Sequence, residues 1–417
     1  MRTSVVIVGA GPAGLAMSHH LTGAGIDHVV LERGQVGNSW RHERWDSLRL
    51  LTPNWMTGLP GQAYTGPEPD GFMTAAETVA LLDAYEDRLD GPVLTGVSVR
   101  SATRTEDGFE VVADEGAWQC DAVVAATGGS SEPRIPRLAS ELPARVQQLT
   151  ALAYRRPSQV ARDGGVLVVG ASATGVQVAD ELARAGHDVT IAVGEHVRLP
   201  RTYRGRDIYW WLDQIGQLDE RWDEVEDLPR ARRHASVQVV GSDDRHDLDL
   251  NALAADGVRV LGRFMAVRDG RGQFSGALAN LVANADLKQT RLLRRIDDHV
   301  AEHGLHDLVG AVEDPAPTEI ATPPTEVGLD AFSTVIWATG YRPSFSWLDP
   351  RAIDQRGRVA HEGGVAKLPG LYVLGLPFLR HRRSNLISGL AADAGELLPH
   401  LHDQLRAGRR TGLARSI

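Results

Sequence analysis

Twice along this chain a short apolar strand runs into a glycine turn and then into a helix. The first instance is SVVIVGAGPAGLAMSHHL from Ser4, the second VLVVGASATGVQVADEL from Val166. Each is followed by another apolar strand, HVVLE after the first and DVTIAV after the second. A strand–turn–helix–strand unit of this kind buries its strands in a parallel sheet and leaves the helix N-terminus, with its unpaired N–H groups and partial positive charge, facing outward. With glycines at the turn, that end is a cradle for the pyrophosphate of a dinucleotide. A chain with two such units is constrained to an α/β fold with two nucleotide sites.

In the first finger Gly9 suits the tight turn, Gly11 lets the backbone approach a phosphate, and Gly14 allows the helix to pack closely on the strand. Glu32, at the tip of the next strand, can accept hydrogen bonds from ribose hydroxyls and would repel a 2′-phosphate, so this site fits FAD or NAD. The second finger reads Gly170, Ser172, Gly175, with a serine where the strict pattern has its middle glycine. No acid stands at its strand tip, and Arg198 and Arg201 follow. This favours NADP over NAD, with Glu195 as the counter-indication.

The remaining pattern organises around these units. GVSVRSATRTEDGFEVVADEGAWQCD alternates about Asp107-Gly108 as a β-meander. ADLKQTRLLRRIDDHVAEHG is an amphipathic helix, EDPAPTEIATPPTEV (313–327) a proline-rich loop, GLYVLG a strand and NLISGLAADAGELLPHLHDQLRAG a closing helix. Strands ending in Ala126-Thr127-Gly128 and Ala338-Thr339-Gly340 bracket the second finger. The fold class expected is therefore α/β: two Rossmann-like, doubly wound nucleotide-binding domains with β-meanders, the NADP domain inserted into the FAD domain. The boundaries expected are 1–155 for the first part of the FAD domain, 156–327 for the NADP domain and 328–417 for the second part of the FAD domain. The aromatic stretch TYRGRDIYWWLDQIGQ (202–217) reads as packing or, alternatively, as a wall of a substrate pocket.

The net charge of −10 argues against a nucleic-acid partner. No run of apolar residues is long enough for a membrane span, no His/Cys spacing reads as a metal site, and the first strand starts at Ser4, so a cytoplasmic location is expected. A single cysteine, Cys120, precludes a redox cysteine pair within the chain.

Taken in order, GAGPAG with Glu32, VGNSWRHERWDSLRLLTPN, ATGGSSEPRIP, VVGASATG and ATGYRPSFSWL make a specific set. Essentially the whole chain resembles the flavin-containing monooxygenases with two dinucleotide-binding domains, especially bacterial members related to the plant YUCCA enzymes. The resemblance implies FAD against Pro12, Ala13, Arg33, Trp40-Arg41, Thr52, Val99 and Ala126-Thr127-Gly128, with Asn385 and Leu386 ahead of the closing helix at the pyrimidine edge of the flavin. It implies NADP against Ser172, Ala173, Thr174, Thr339, Gly340 and Tyr341, with Arg201, or alternatively Arg198, on the 2′-phosphate. Asn54 falls where the family has an asparagine beside the reacting flavin edge; the other reading of it is a turn residue after Pro53. Together Asn54 and Arg201 are the expected catalytic pair.

The activity implied is NADPH-dependent formation of a C4a-hydroperoxyflavin and transfer of one oxygen atom from O2 to a small-molecule substrate, at nitrogen or sulfur first and at a ketone or 2-oxo acid second. An NAD(P)H-dependent flavin reductase is the alternative, and a homodimer is expected from the family. One departure stands out. The F-x-G-x-x-x-H-x-x-x-W/Y fingerprint of Baeyer–Villiger and many N-hydroxylating relatives has Ala144, Val146 and Thr150 at its first three positions, and only Tyr154 is kept.

Overall fold

The computed structural model describes residues 1–415, with side chains to residue 407. Strand β1 (Arg2–Val8) leads through the glycine turn into α1 (Pro12–Gly23) and on to β2 (His28–Glu32). Val5, Val6 and Ile7 are wholly buried, the near-continuous apolar run that a strand covered on both faces requires. Pro12 occupies the first turn of α1, where its missing N–H costs nothing. After β3 (Val93–Thr95) the expected meander follows as β4 (Val99–Thr105), β5 (Gly108–Ala113) and β6 (Gly116–Ala125), all antiparallel. The far end of β6 lies parallel beside β1.

The second unit begins with β7 (Gln147–Thr150), then β8 (Gly165–Val169), α2 (Ala173–Arg184) and β9 (Val189–Ala192). With β10 (Arg259–Leu261) and β11 (Phe332–Trp337) these form a five-stranded sheet in the order β10-β9-β8-β11-β7. Every pairing in it is parallel. Between β10 and β11 runs the long amphipathic α3 (Leu278–His303), starting a few residues earlier than the sequence suggests. Strand β12 (Leu371–Val373) then returns to β6, and α4 (Ile387–Arg415) closes the chain against α1. The first sheet thus reads β12-β6-β1-β2-β3 at its parallel centre.

The second sheet takes strands from outside residues 156–327. β7 precedes that segment and β11 follows it, both in register with β8 or each other. The difference has a simple origin: proline-rich 313–327 looks like a domain boundary, yet it lies inside the second unit, a loop that ends in the short strand Glu326–Gly328 ahead of β11. The aromatic stretch after Arg201 also has its place here. Tyr203, Tyr209 and Trp211 are buried with Ile208, Leu212 and Ile296 of α3 in a separate core, not at a pocket wall.

The two units meet where Trp45, Leu48 and Met56 pack into the second unit's cores, and along two further seams. Glu132–Pro133 pairs antiparallel with Tyr341–Arg342, joining the two crossover segments in a short ribbon. Elsewhere residues 213–224 are held against 380–396 by ion pairs: Arg383 with Asp213 (2.5 Å) and Asp219 (2.9 Å), Arg382 with Glu220, and Arg221 with Glu396 (3.4 Å).

Candidate active site: two cradles on one cleft

The two glycine turns are built to one plan. Gly9 has φ 107° and Gly170 φ 113°, a region closed to most side chains. A Cβ on Gly9 would lie 2.7 Å from the carbonyl oxygen of Ala126, and one on Gly170 would lie 2.3 Å from that of Ala338. Each Ala-Thr-Gly turn therefore presses against the first glycine of its cradle. Three steps into each helix, a Cβ on Gly14 would come 1.9 Å from the Gly9 oxygen, and one on Gly175 1.9 Å from the Gly170 oxygen. Between them, Gly11 (φ −82°, ψ −176°) and Ser172 (φ −81°, ψ −178°) hold the same backbone conformation at the two helix starts.

These features fit phosphate-bearing ligands. A Cβ on Gly11 would meet nothing within 4 Å, so the space beside the N–H groups opening α1 is clear. Thr127 Oγ1 is buried at the cleft without a hydrogen-bond partner among the described residues, as a group awaiting a ligand would be. Glu32 is buried at the tip of β2. One carboxylate oxygen accepts from the Ala10 N–H (2.8 Å) and the other from Gly34 N–H (3.0 Å). Each oxygen retains acceptor capacity for a ribose hydroxyl.

Both cradles open on a single cleft of about 2340 Å³. Gly9, Gly11, Pro12, Ala13, Glu32, Arg33, Trp40, Val99, Ala126, Thr127, Gly128 and Asn385 line it from the first unit. From the second come Gly170, Ser172, Thr174, Thr339, Gly340 and Tyr341. Ile387 and Leu390 also line it, so the N-terminus of α4 faces the cleft. Gly14, Gly175 and Ala173 lie beneath this surface, where they set the helix–strand approach. Trp40 carries the Arg44 guanidinium over its ring at 5.4 Å.

Several expected contacts lie elsewhere, each for a visible reason. Arg198 is buried between Asp249 (2.7 Å) and Asp286 (2.9 Å). Arg201 has no exposed surface: it forms a two-oxygen ion pair with Asp207 at 2.5 Å, donates to Leu51 O, and lies over the Phe72 ring. Both guanidiniums are neutralised inside the protein and neither lines the cleft. The expectation that either takes a 2′-phosphate is corrected accordingly. Asn54 is likewise spent: its amide N–H donates to Glu68 O (2.9 Å) and its oxygen accepts from Met73 N–H (2.8 Å), stapling the 68–73 loop. It does not line the cleft, nor does the buried Thr52. Arg41 is paired with Asp83 (2.5 Å), and the Leu386 N–H closes a turn onto Arg383 O. The catalytic pair Asn54 and Arg201 is therefore not assembled.

The cleft instead recruits basic residues that the sequence did not single out: Arg134, Arg232, Arg233, His234, Arg263, Arg342 and His361. His361 is pushed down to about 4, by burial first and by nearby Arg232 second, so it is neutral near pH 7. For Arg263 a signal did exist, since it follows the tip of the strand beside β9. Cys120, buried on β6, has its thiol pushed up to about 12 by burial. Among the described residues no group of His, Cys, Asp and Glu could hold a metal ion, and no helix is long and apolar enough to cross a membrane.

Comparison with known proteins agrees with this geometry. Residues 6–214 match the family described as pyridine nucleotide-disulphide oxidoreductase. A Geobacillus kaustophilus protein named as an uncharacterized oxidoreductase, CzcO-like, is 30% identical over 397 residues, covering 94% of this chain and 97% of its own. The rice indole-3-pyruvate monooxygenase YUCCA1 (Oryza sativa subsp. japonica) is 28% identical over 431 residues, 98% of this chain and 93% of that one. The structure of a flavin-containing monooxygenase from Stenotrophomonas maltophilia superposes with a TM-score of 0.66 at 21% identity, covering 96% of this chain and 98% of that chain. The resemblance to flavin-containing monooxygenases and the α/β class with its parallel sheets are borne out.

Proposed function

The chain belongs to the pyridine nucleotide-disulphide oxidoreductase family, and from that premise we propose that it is an NADPH-dependent FAD monooxygenase acting on a small organic substrate. The observation that carries the reading is the pair of matched cradles opening on one cleft in a chain whose only cysteine is buried. Electrons entering through a nicotinamide have no thiol pair to reach, so dithiol chemistry is closed to this member of the family. Molecular oxygen or a diffusible acceptor must take them. The likeness to YUCCA1 and to the bacterial flavin-containing monooxygenase favours oxygen.

FAD held in the first cradle would supply a two-electron carrier that accepts hydride and reacts with O2. The chain's own residues supply the placement. The N–H groups opening α1, reached past Gly11, neutralise the pyrophosphate, while Glu32 takes the ribose and Thr127 offers its unused hydroxyl. The N-terminus of α4 beside Asn385 favours negative charge near it. Ser172 and the start of α2 serve the nicotinamide dinucleotide. Overall, NADPH, a proton, O2 and substrate become NADP⁺, water and oxygenated substrate.

A nucleophilic nitrogen or sulfur is the first substrate centre. A 2-oxo acid is the second reading, favoured by the YUCCA1 likeness and by the absence of the Baeyer–Villiger fingerprint around Tyr154, which is itself fully buried and donates to Glu181 (2.6 Å). The test is anaerobic reduction by NADPH and by NADH, then mixing with O2 in a stopped-flow spectrometer. Fast bleaching by NADPH followed by a long-lived near-ultraviolet transient supports the monooxygenase. Immediate reoxidation with stoichiometric H2O2, with and without candidate substrates, overturns it in favour of a flavin reductase.

A further inference from the structure

Because the two cradles share one plan, each position in one has a counterpart in the other, and the strand registers identify it. Val8 pairs with Leu31 as Val169 pairs with Ala192, so the counterpart of Glu32 is Val193. Leu31 pairs in turn with Leu94, and Ala192 with Leu261. Two residues further on, Gly96 therefore corresponds to Arg263. The first cradle carries a carboxylate at one of these positions and a glycine at the other. The second carries a fully buried valine and an exposed arginine. At equivalent points the electrostatics are inverted.

The placement of Arg263 is specific. Its guanidinium lies across Gly194, where a Cβ would be 3.4 Å from Nε and 3.6 Å from Nη2. It lines the cleft together with Gly194 and Ser172. Its side chain makes no hydrogen bond or ion pair with any described residue, whereas Arg198, Arg201 and Arg204 are all paired internally. In a unit of this type, the tip of the second strand is where the adenosine ribose sits. An acid there takes the 2′-hydroxyl; an unpaired guanidinium with the acid deleted takes a 2′-phosphate. The same space in the first cradle is left open, since a Cβ on Gly96 would meet nothing within 4 Å.

We infer that Arg263 is the residue that selects a 2′-phosphorylated dinucleotide in the second cradle, by direct contact with the phosphate across Gly194. This rests on the reading of that cradle as the nicotinamide site. Glu195 also lines this part of the cleft and opposes the phosphate, so Arg263 must outweigh it.

The test uses the flavin-loaded protein and equilibrium binding by calorimetry, with NADP⁺, NAD⁺, 2′,5′-ADP and 5′-AMP as probes. The wild type is expected to bind NADP⁺ and 2′,5′-ADP more tightly than their unphosphorylated partners. Arg263→Gly, which restores the residue of the first cradle, is expected to lose roughly 10- to 100-fold in affinity for the two phosphorylated probes, the size of one charge-assisted contact. Affinity for NAD⁺ and 5′-AMP should stay within about twofold, and Glu195→Gln should strengthen NADP⁺ binding. Equal losses for all four probes, or an unchanged NADP⁺/NAD⁺ ratio while NADPH still reduces the flavin, overturns the assignment and leaves the redox reading standing. A wild type that binds none of the probes overturns the reading of the second cradle itself.

Discussion

Gly11 and Gly14 stand three residues apart and should fail in opposite ways when replaced by alanine. At Gly14 the new Cβ would sit 1.9 Å from the Gly9 oxygen and 3.0 Å from its carbonyl carbon. Those are backbone atoms of a turn pinned by the Gly9 N–H to Leu31 O at 2.8 Å, so the clash cannot be relieved by a rotamer. Forced overpacking of this kind costs about 1–3 kcal/mol, and rigid neighbours push toward the upper end. At Gly11 the Cβ meets no protein atom, and Ser172 shows that the same φ and ψ accept a side chain. The protein should lose only the ~0.5–1 kcal/mol that separates glycine from alanine as a helix N-cap. The space filled is nevertheless the space left for the pyrophosphate, so FAD affinity should fall about 10- to 100-fold by the same overpacking scale. Thermal melting of flavin-free protein and fluorescence titration with FAD separate the two effects. A Gly11→Ala protein that binds FAD like the wild type, beside a Gly14→Ala protein that melts like it, refutes the cradle argument.

Arg201→Ala should destabilise the fold by about 3–5 kcal/mol, because Asp207 would be left buried without its partner, and should not shift the NADP⁺/NAD⁺ ratio; urea unfolding and nucleotide binding read the two quantities. Cys120 should resist thiol reagents in the native protein and react fully once unfolded, and Cys120→Ala should leave NADPH oxidation unchanged. His381 and His361 give opposite pH slopes. His381 is held above its ordinary 6.5, chiefly by the hydrogen bond to buried Asp393 (3.0 Å), with Glu396 and Arg221 also facing it, so its stabilisation is complete below 6.5 and lost as pH rises through the folded value. His361, held near 4, lowers stability as pH falls from 6.5 toward 4, because the unfolded chain takes up the proton first. Melting temperatures of His381→Gln and His361→Gln against the wild type across pH 4–8 should flatten the alkaline and the acid side respectively.

What was legible in the chain was what is local to it. Gly9 to Gly14, Glu32 and the Ala126-Thr127-Gly128 turn lie within or at the ends of single strand–helix units, where spacing alone dictates the geometry. The same holds for the second finger, serine included. Arg198, Arg201 and Asn54 were not legible in this way. Their fates depend on partners that no spacing rule anticipates: Asp249 and Asp286 for Arg198, Asp207 and the Leu51 carbonyl for Arg201, Glu68 and Met73 for Asn54. Cationic residues near a nucleotide motif look alike in sequence, and only packing separates those already neutralised from one that is not. Sheet membership is illegible for the same reason: β7 and β11 are ordinary short strands, assigned to the second unit only by the neighbour each pairs with.

The ribbon of Glu132–Pro133 with Tyr341–Arg342 has a mechanical meaning. It ties the chain's way out of the first unit to its way back, so neither connection can shift without the other. At the other seam, residues 213–224 and 380–396 meet through arginine–carboxylate pairs and through backbone hydrogen bonds beside the Arg221–His381 bridge. Salt would screen the ion pairs and leave the backbone bonds Trp222 N–H to Arg380 O (2.9 Å), Arg382 N–H to Glu220 O (3.1 Å) and Arg383 N–H to Leu218 O (3.0 Å) in place, so ionic strength alone does not part the units. With Trp45, Leu48 and Met56 also buried in the second unit's cores, the two cradles are held on one cleft from three directions.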